Sequence, residues 1–171
     1  MASSRPGNQK KKIAPARSIK SPKKSAAAKP ATGRKKITIK YRDKSPGQPE
    51  LKVIFERIRD LMKPYSGGTM EESGGDKGKF ILVSKKPVEI FGRKRDELWF
   101  ASSLVQKGYV GFYFMPVYMN APLQKKLHPD LLKCLKGKAC FHIRTNDEGL
   151  LSHIREALRA GYEDWKKREW I

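Results

Sequence analysis

The chain has 171 residues, 38 Lys/Arg against 17 Asp/Glu, a net charge of +21 and two cysteines. No stretch approaches the roughly 20 apolar residues that a membrane span needs. Two cysteines and no export signal point to reduced thiols in a cytoplasmic protein, not to a disulfide framework. The charge is split unevenly: residues 1–45 hold 15 Lys/Arg and one acid, Asp43, a net +14, and the other 126 residues hold 23 against 16, a net +7.

Residues 1–48 read as a basic tail of Lys, Ala, Pro and Ser. Such a composition cannot bury enough apolar surface to offset the entropy of ordering, so it is expected to be disordered. Pro6, Pro15, Pro22 and Pro30 also interrupt the amphipathic helix that an organellar transit peptide would form. The expected partner is a nucleic-acid backbone, bound electrostatically and without sequence preference, because cation–phosphate contact releases condensed counterions and demands no shape. The expected contacts are the clusters Lys10, Lys11, Lys12; Lys23, Lys24; and Arg34, Lys35, Lys36. Ser21-Pro22-Lys23-Lys24 resembles the SPKK repeat of linker-histone tails, which implies a nucleoid-associated role. Thr32-Gly33-Arg34-Lys35 lacks the Arg-Gly-Arg-Pro core of an AT-hook.

Residues 49–171 read as one domain, large enough for a single core. Gln48-Pro49-Glu50 opens a helix of about 12 residues with Leu51, Ile54, Phe55, Ile58, Leu61 and Met62 on its apolar side, and Pro64 stops it. Residues 66–76 read as a loop. Strands are expected at 79–84, 88–91, 97–105 and 109–118, too close together for intervening helices and so forming an antiparallel meander. Short helices are expected from Asn120 to Leu127 and from His128 to Leu135, then a fifth strand at 139–144. Thr145 and Glu148 have capping-box spacing before a final helix carrying Leu151, Ile154, Leu158, Tyr162 and Trp165. The expected fold is α+β: an antiparallel sheet of about five strands packed by the N- and C-terminal helices.

The strand from Tyr109 to Tyr118, Pro122, Leu131-Leu132, Gly137-Lys138 and Cys140-Phe141, with a terminal helix ending Lys166-Lys167-Arg168-Glu169-Trp170, together resemble the YdhG-like domain family over residues 50–171. Most members of that family have no established activity. Some resemble frataxin and are read as intracellular iron chaperones, so iron is the one cofactor the resemblance implies. Iron of that kind needs a patch of carboxylates. The available acids are Glu56 and Asp60, one helical turn apart, with Glu71, Glu72 and Asp76 in the following loop. Lys52, Arg57, Arg59 and Lys63 surround the helical pair and oppose a bound cation, and i,i+4 ion pairs account for it more simply.

Cys134, Cys140, His128 and His142 invite a zinc reading but lack a Cys-x2-Cys pair, and His153 carries no sign of a partner. Residues 107–114 match part of the RNA-recognition RNP1 pattern through Lys107, Gly108, Tyr109 and Phe114, but Gly111 stands where that pattern stacks an aromatic. Aromatics packed on a buried sheet face are the simpler account, although Tyr109 and Tyr113 share a face and Arg93-Lys94-Arg95 offers phosphate contacts. Residues 74–79 are no phosphate-binding P-loop, because Phe80 follows the lysine where Ser or Thr is required. No nucleophile–base pairing stands out. The sequence thus reads as a non-enzymatic nucleic-acid-binding protein, with an iron-binding chaperone and a protein-interaction module on the aromatic sheet as alternatives.

Overall fold

Proline at the start of a helix loses no hydrogen bond, since its missing N–H would be unpaired there anyway. Pro49 accordingly opens α1 (Pro49–Met62), whose 3.6-residue period buries Leu51, Ile54, Phe55, Ile58 and Met62. A computed structural model describes residues 41–75, 77–90 and 92–171 of the chain. The tail clusters, from Lys10 to Lys36, lie outside the described residues, as does Asp76.

The fold is α+β. Its main sheet has six strands in the order β1-β2-β5-β6-β8-β7, every neighbouring pair antiparallel. These strands are β1 (Met70–Gly74), β2 (Lys79–Ser84), β5 (Leu98–Gln106), β6 (Tyr109–Phe114), β7 (Leu135–Lys136) and β8 (Cys140–Ile143). Residues 70–74, expected to be loop, are an edge strand. Only Met70 is buried in it, so apolar alternation is missing, and pairing with β2 sets its conformation.

A second difference concerns residues 88–91. Instead of joining the sheet, Val88–Ile90 (β3) pairs only with Arg93–Arg95 (β4) as a separate two-stranded ribbon. Gly92, with φ 69°, makes the tight turn that an L side chain rarely accepts. β2 therefore pairs directly with β5. Their register shifts at Leu82/Val83, so that Leu82 faces Ala101 while Val83 faces Trp99, and Phe100 is skipped. The extra residue lets adjacent Phe100 and Ala101 both be buried.

β6 ends at Phe114, short of the expected Tyr118, because Pro116 cannot donate to a ladder. The chain turns instead into α2 (Met115–Met119). Two further short helices follow, α3 (Ala121–Lys125) and α4 (Pro129–Lys133). The last helix, α5 (Glu148–Lys167), is capped by Asp147, whose Oδ1 accepts from the Leu150 N–H at 2.7 Å. Thr145 is not the cap. Glu148, expected to close a capping box, instead takes a salt bridge of 2.5 Å from Arg57 on α1.

The core lies between one sheet face and the two long helices. Phe80, Leu82, Val105, Val110, Phe112, Phe114, Phe141 and Ile143 meet the apolar stripes of α1 and α5. Apolar burial of this extent dominates the stability of a domain this size. The end of the chain is pinned as well: Ser84 Oγ donates to the Trp170 carbonyl at 2.6 Å, and the Trp170 N–H donates to the Trp165 carbonyl at 2.9 Å. No helix among the described residues is long and apolar enough to cross a membrane.

Candidate functional site

Side chains alternate across a strand, so every residue of β6 points either toward the helices or away from them. Val110, Phe112 and Phe114 point inward and are fully buried. Tyr109, Gly111 and Tyr113 point to the opposite face, and the register carries their neighbours with them: Gln106 beside Tyr109, Leu104 and His142 beside Gly111, Ser102 and Cys140 beside Tyr113. Lys136 extends the last row from β7. α1 packs against β5 and β6 from the core side, and on the second face Ile81, Val83 and Ser102 are buried while the tyrosine end is only half-covered.

Tyr109, Tyr113, Cys140 and His142 are accordingly half-buried, and Lys136 and Arg144 are exposed. The expectation that these aromatics all pack on a buried face is thus half right. The phenylalanines do, and the tyrosines do not.

The second face has a defined shape. The Tyr109 ring and the His142 imidazole are stacked, with centroids 3.8 Å apart and planes 14° from parallel. The Arg144 guanidinium sits 5.9 Å from the Tyr109 centroid, within cation–π range. Tyr113 folds back along its own strand over Gly111, where an added Cβ would lie 2.9 Å from Tyr113 Cε2. Gly111, which breaks the RNP1 pattern in sequence, is therefore the position that lets this ring lie down.

Around the rings of this face the charge is positive, from Lys136 and Arg144, while Glu71, which shares the face through its register with Val83, lies at the far edge of the sheet. From Leu98 to Arg144 the chain carries seven Lys/Arg and one acid, Asp130, which lies on α4 and is held by Lys133 at 2.7 Å. Burial, then Arg144 and Lys136, hold the His142 imidazole below its usual pKa, so it is neutral at physiological pH. Burial and the neighbouring Cys140 push the Tyr113 phenol up to about 12.

Among the described acids expected for iron, the helical pair stands apart from the strand pair, and Glu56, Asp60 and Glu71 are held in ion pairs. Glu56 reaches Lys52 at 3.9 Å. Asp60 meets Arg59 at 3.0 Å and Lys63 at 3.7 Å. Glu71 meets Lys85 at 4.0 Å on the far edge of the sheet, and Glu72 beside it points to the other face of β1.

The four residues weighed for zinc are not brought together either. His142 stacks on Tyr109, and His128 stacks on His153 with centroids 3.6 Å apart. His153 thus has a partner that its sequence gave no sign of. His128, Asp130 and His153 bring ligand atoms within 4.8 Å of one another. Their rings are only 10° from parallel, though, so the in-plane lone pairs run side by side instead of converging. His128 Nδ1 already accepts the Asp130 N–H at 3.2 Å.

Arg93 and Arg95 lie on the ribbon, not on the open sheet face. They line a cleft of about 400 Å³ with Ile90, Met115 and Tyr118.

Both cysteines are free thiols. Burial raises the pKa of each, with the Tyr113 contact partly offsetting it at Cys140. Since the thiolate is the nucleophile, alkylation by iodoacetamide near neutral pH is expected to be slower at both than at a free cysteine, and to accelerate as pH rises past about 9. A rate at pH 7 matching that of free cysteine would refute the burial argument. No family model, curated protein or solved structure matches this chain.

Proposed function

We propose that this is a non-enzymatic, cytoplasmic nucleic-acid-binding protein in which a YdhG-like folded domain carries a basic segment that grips phosphate backbones without sequence preference, in a nucleoid-associated role. The observation that supports it most is the charge split: net +14 is concentrated in the first 45 residues, where there is only one acid to pair with. An excess of that size is far more than solubility requires and is opposite in sign to the phosphates of a polynucleotide.

The test is the salt dependence of duplex binding by the full chain and by a variant with Lys10, Lys11, Lys12, Lys23, Lys24, Arg34, Lys35 and Lys36 all changed to Gln. Each phosphate neutralised steepens the slope of log affinity against log salt by about 0.9, so losing eight cations should flatten it by about 7. An unchanged slope would remove the segment from the binding reaction.

A further inference from the structure

We infer that the second face of the sheet, built on Tyr109, Tyr113 and His142, is a stacking platform for the bases of single-stranded nucleic acid. This rests on the nucleic-acid reading above and places part of the recognition on the folded domain.

Three observations converge on that occupant. The first is aromatic surface left outside the core. Tyr109, Tyr113 and His142 are half-buried and lie outside the hydrophobic core. Every base has a π-face, so flat side chains of this kind hold bases regardless of sequence. The second is posture. Tyr113 lies across Gly111 beside the Tyr109–His142 stack, so one ring lies along the sheet while the others flank it. A neutral imidazole completes this arrangement, and His142 is held neutral by its surroundings.

The third observation is charge. Lys136 and Arg144 share this face with the rings, Lys107 sits at the β5–β6 turn, and no carboxylate occurs on β5, β6, β7 or β8. Cations at the rim of an aromatic floor suit a ligand whose bases are flat and whose backbone is anionic. A duplex keeps its bases stacked on each other and cannot use the floor. The face therefore favours single strands, whereas the basic segment does not distinguish them in this way. An acidic protein partner would use the cations but would leave the aromatic geometry without a role.

The experiment uses the full chain and labelled oligothymidylate, with a matched duplex in parallel at one salt concentration. Tyr109→Leu and Tyr113→Leu keep apolar bulk while removing the π-face. Each is expected to weaken single-strand binding roughly 5- to 150-fold, the range that loss of one base–aromatic stack spans, and to leave duplex binding within about twofold of wild type. Tyr109→Phe and Tyr113→Phe keep the ring and should restore single-strand affinity. Far-ultraviolet circular dichroism and the thermal midpoint check that each variant is folded.

If the leucine variants bind single strands as wild type does, the platform is excluded and the face is left to a protein partner. An equal loss for single strand and duplex also excludes it, because stacking cannot act on a paired duplex. The eight-fold Gln variant separates the two readings. Single-strand binding that survives the Gln changes but falls with Tyr→Leu keeps the platform and removes the tail. The reverse pattern keeps the tail and removes the platform.

Discussion

Replacing Trp165 by alanine is expected to cost about 3–5 kcal/mol, the range for deleting a large buried aromatic side chain. Trp165 is fully buried. Its ring meets Phe100 edge-on at 5.1 Å and Trp170 at 5.7 Å. Phe100 in turn packs edge-on against Phe114 and Tyr162, so the lost indole would empty the centre of an aromatic cluster that links α5 to the sheet. A domain of ordinary stability has about 5–15 kcal/mol in total, so the variant should unfold at markedly lower urea concentration.

The indole also has a weakness: its Nε1 is buried without a hydrogen-bond partner. Trp165→Phe removes that unpaired donor along with some volume, so its cost should be clearly smaller than that of alanine. Urea titration followed by circular dichroism gives both numbers. An alanine cost below about 1 kcal/mol is incompatible with a core position for the last turns of α5.

The second large effect has a sign opposite to intuition. Gly161 lies within α5, and in an exposed helix its replacement by alanine would stabilise by about 1 kcal/mol. Here an added Cβ would run into the Phe114 ring and come within 2.9 Å of Pro116 Cγ. Phe114 cannot yield, since it is fully buried, stacked on Phe112 at 5.6 Å and edge-on to Phe100. Gly161→Ala is therefore expected to destabilise by about 1–3 kcal/mol, the cost of overpacking a filled core. A raised thermal midpoint would show that α5 stands further from β6 and α2 than described.

What could be read from the sequence was whatever local periodicity carries. Pro49 and the spacing of Leu51, Ile54, Phe55 and Ile58 were enough to place α1. The aromatic run from Tyr109 placed β6, although not its end at Phe114. β1 was missed because Glu71, Glu72 and Ser73 have no apolar face, and an edge strand with one buried residue takes its shape from its partner. The ribbon was misplaced because Val88 and Ile90 look like any core strand, and only the turn at Gly92 decides that they pair with Arg95 and Arg93.

Thr145 and Glu148 met the capping spacing, yet Asp147 takes the Leu150 N–H, because two oxygen-bearing side chains two residues apart both suit a helix start. The candidate site was legible in part. Parity put Tyr109 and Tyr113 on one face, but His142 reaches them only through the pairing of β6 with β8, and His128 meets His153 only through the packing of α4 on α5. Such contacts depend on tertiary register, which no local pattern encodes.

The point where the basic segment joins the domain has a further consequence. Residues 41–48 are fastened to one end of the sheet: the Tyr41 hydroxyl reaches the Gly78 and Val105 carbonyls at 2.8 and 2.9 Å. Gln48 Oε1 accepts from the Gly108 N–H at 2.8 Å. That end is where β6 begins at Tyr109. If the preceding cations hold a polymer as proposed, their covalent attachment at this point makes the domain an intramolecular partner for it, at an effective concentration set by tether length and not by supply. Two weak grips linked in this way can exceed either alone by about 10²- to 10⁴-fold, so neither surface needs to bind tightly by itself.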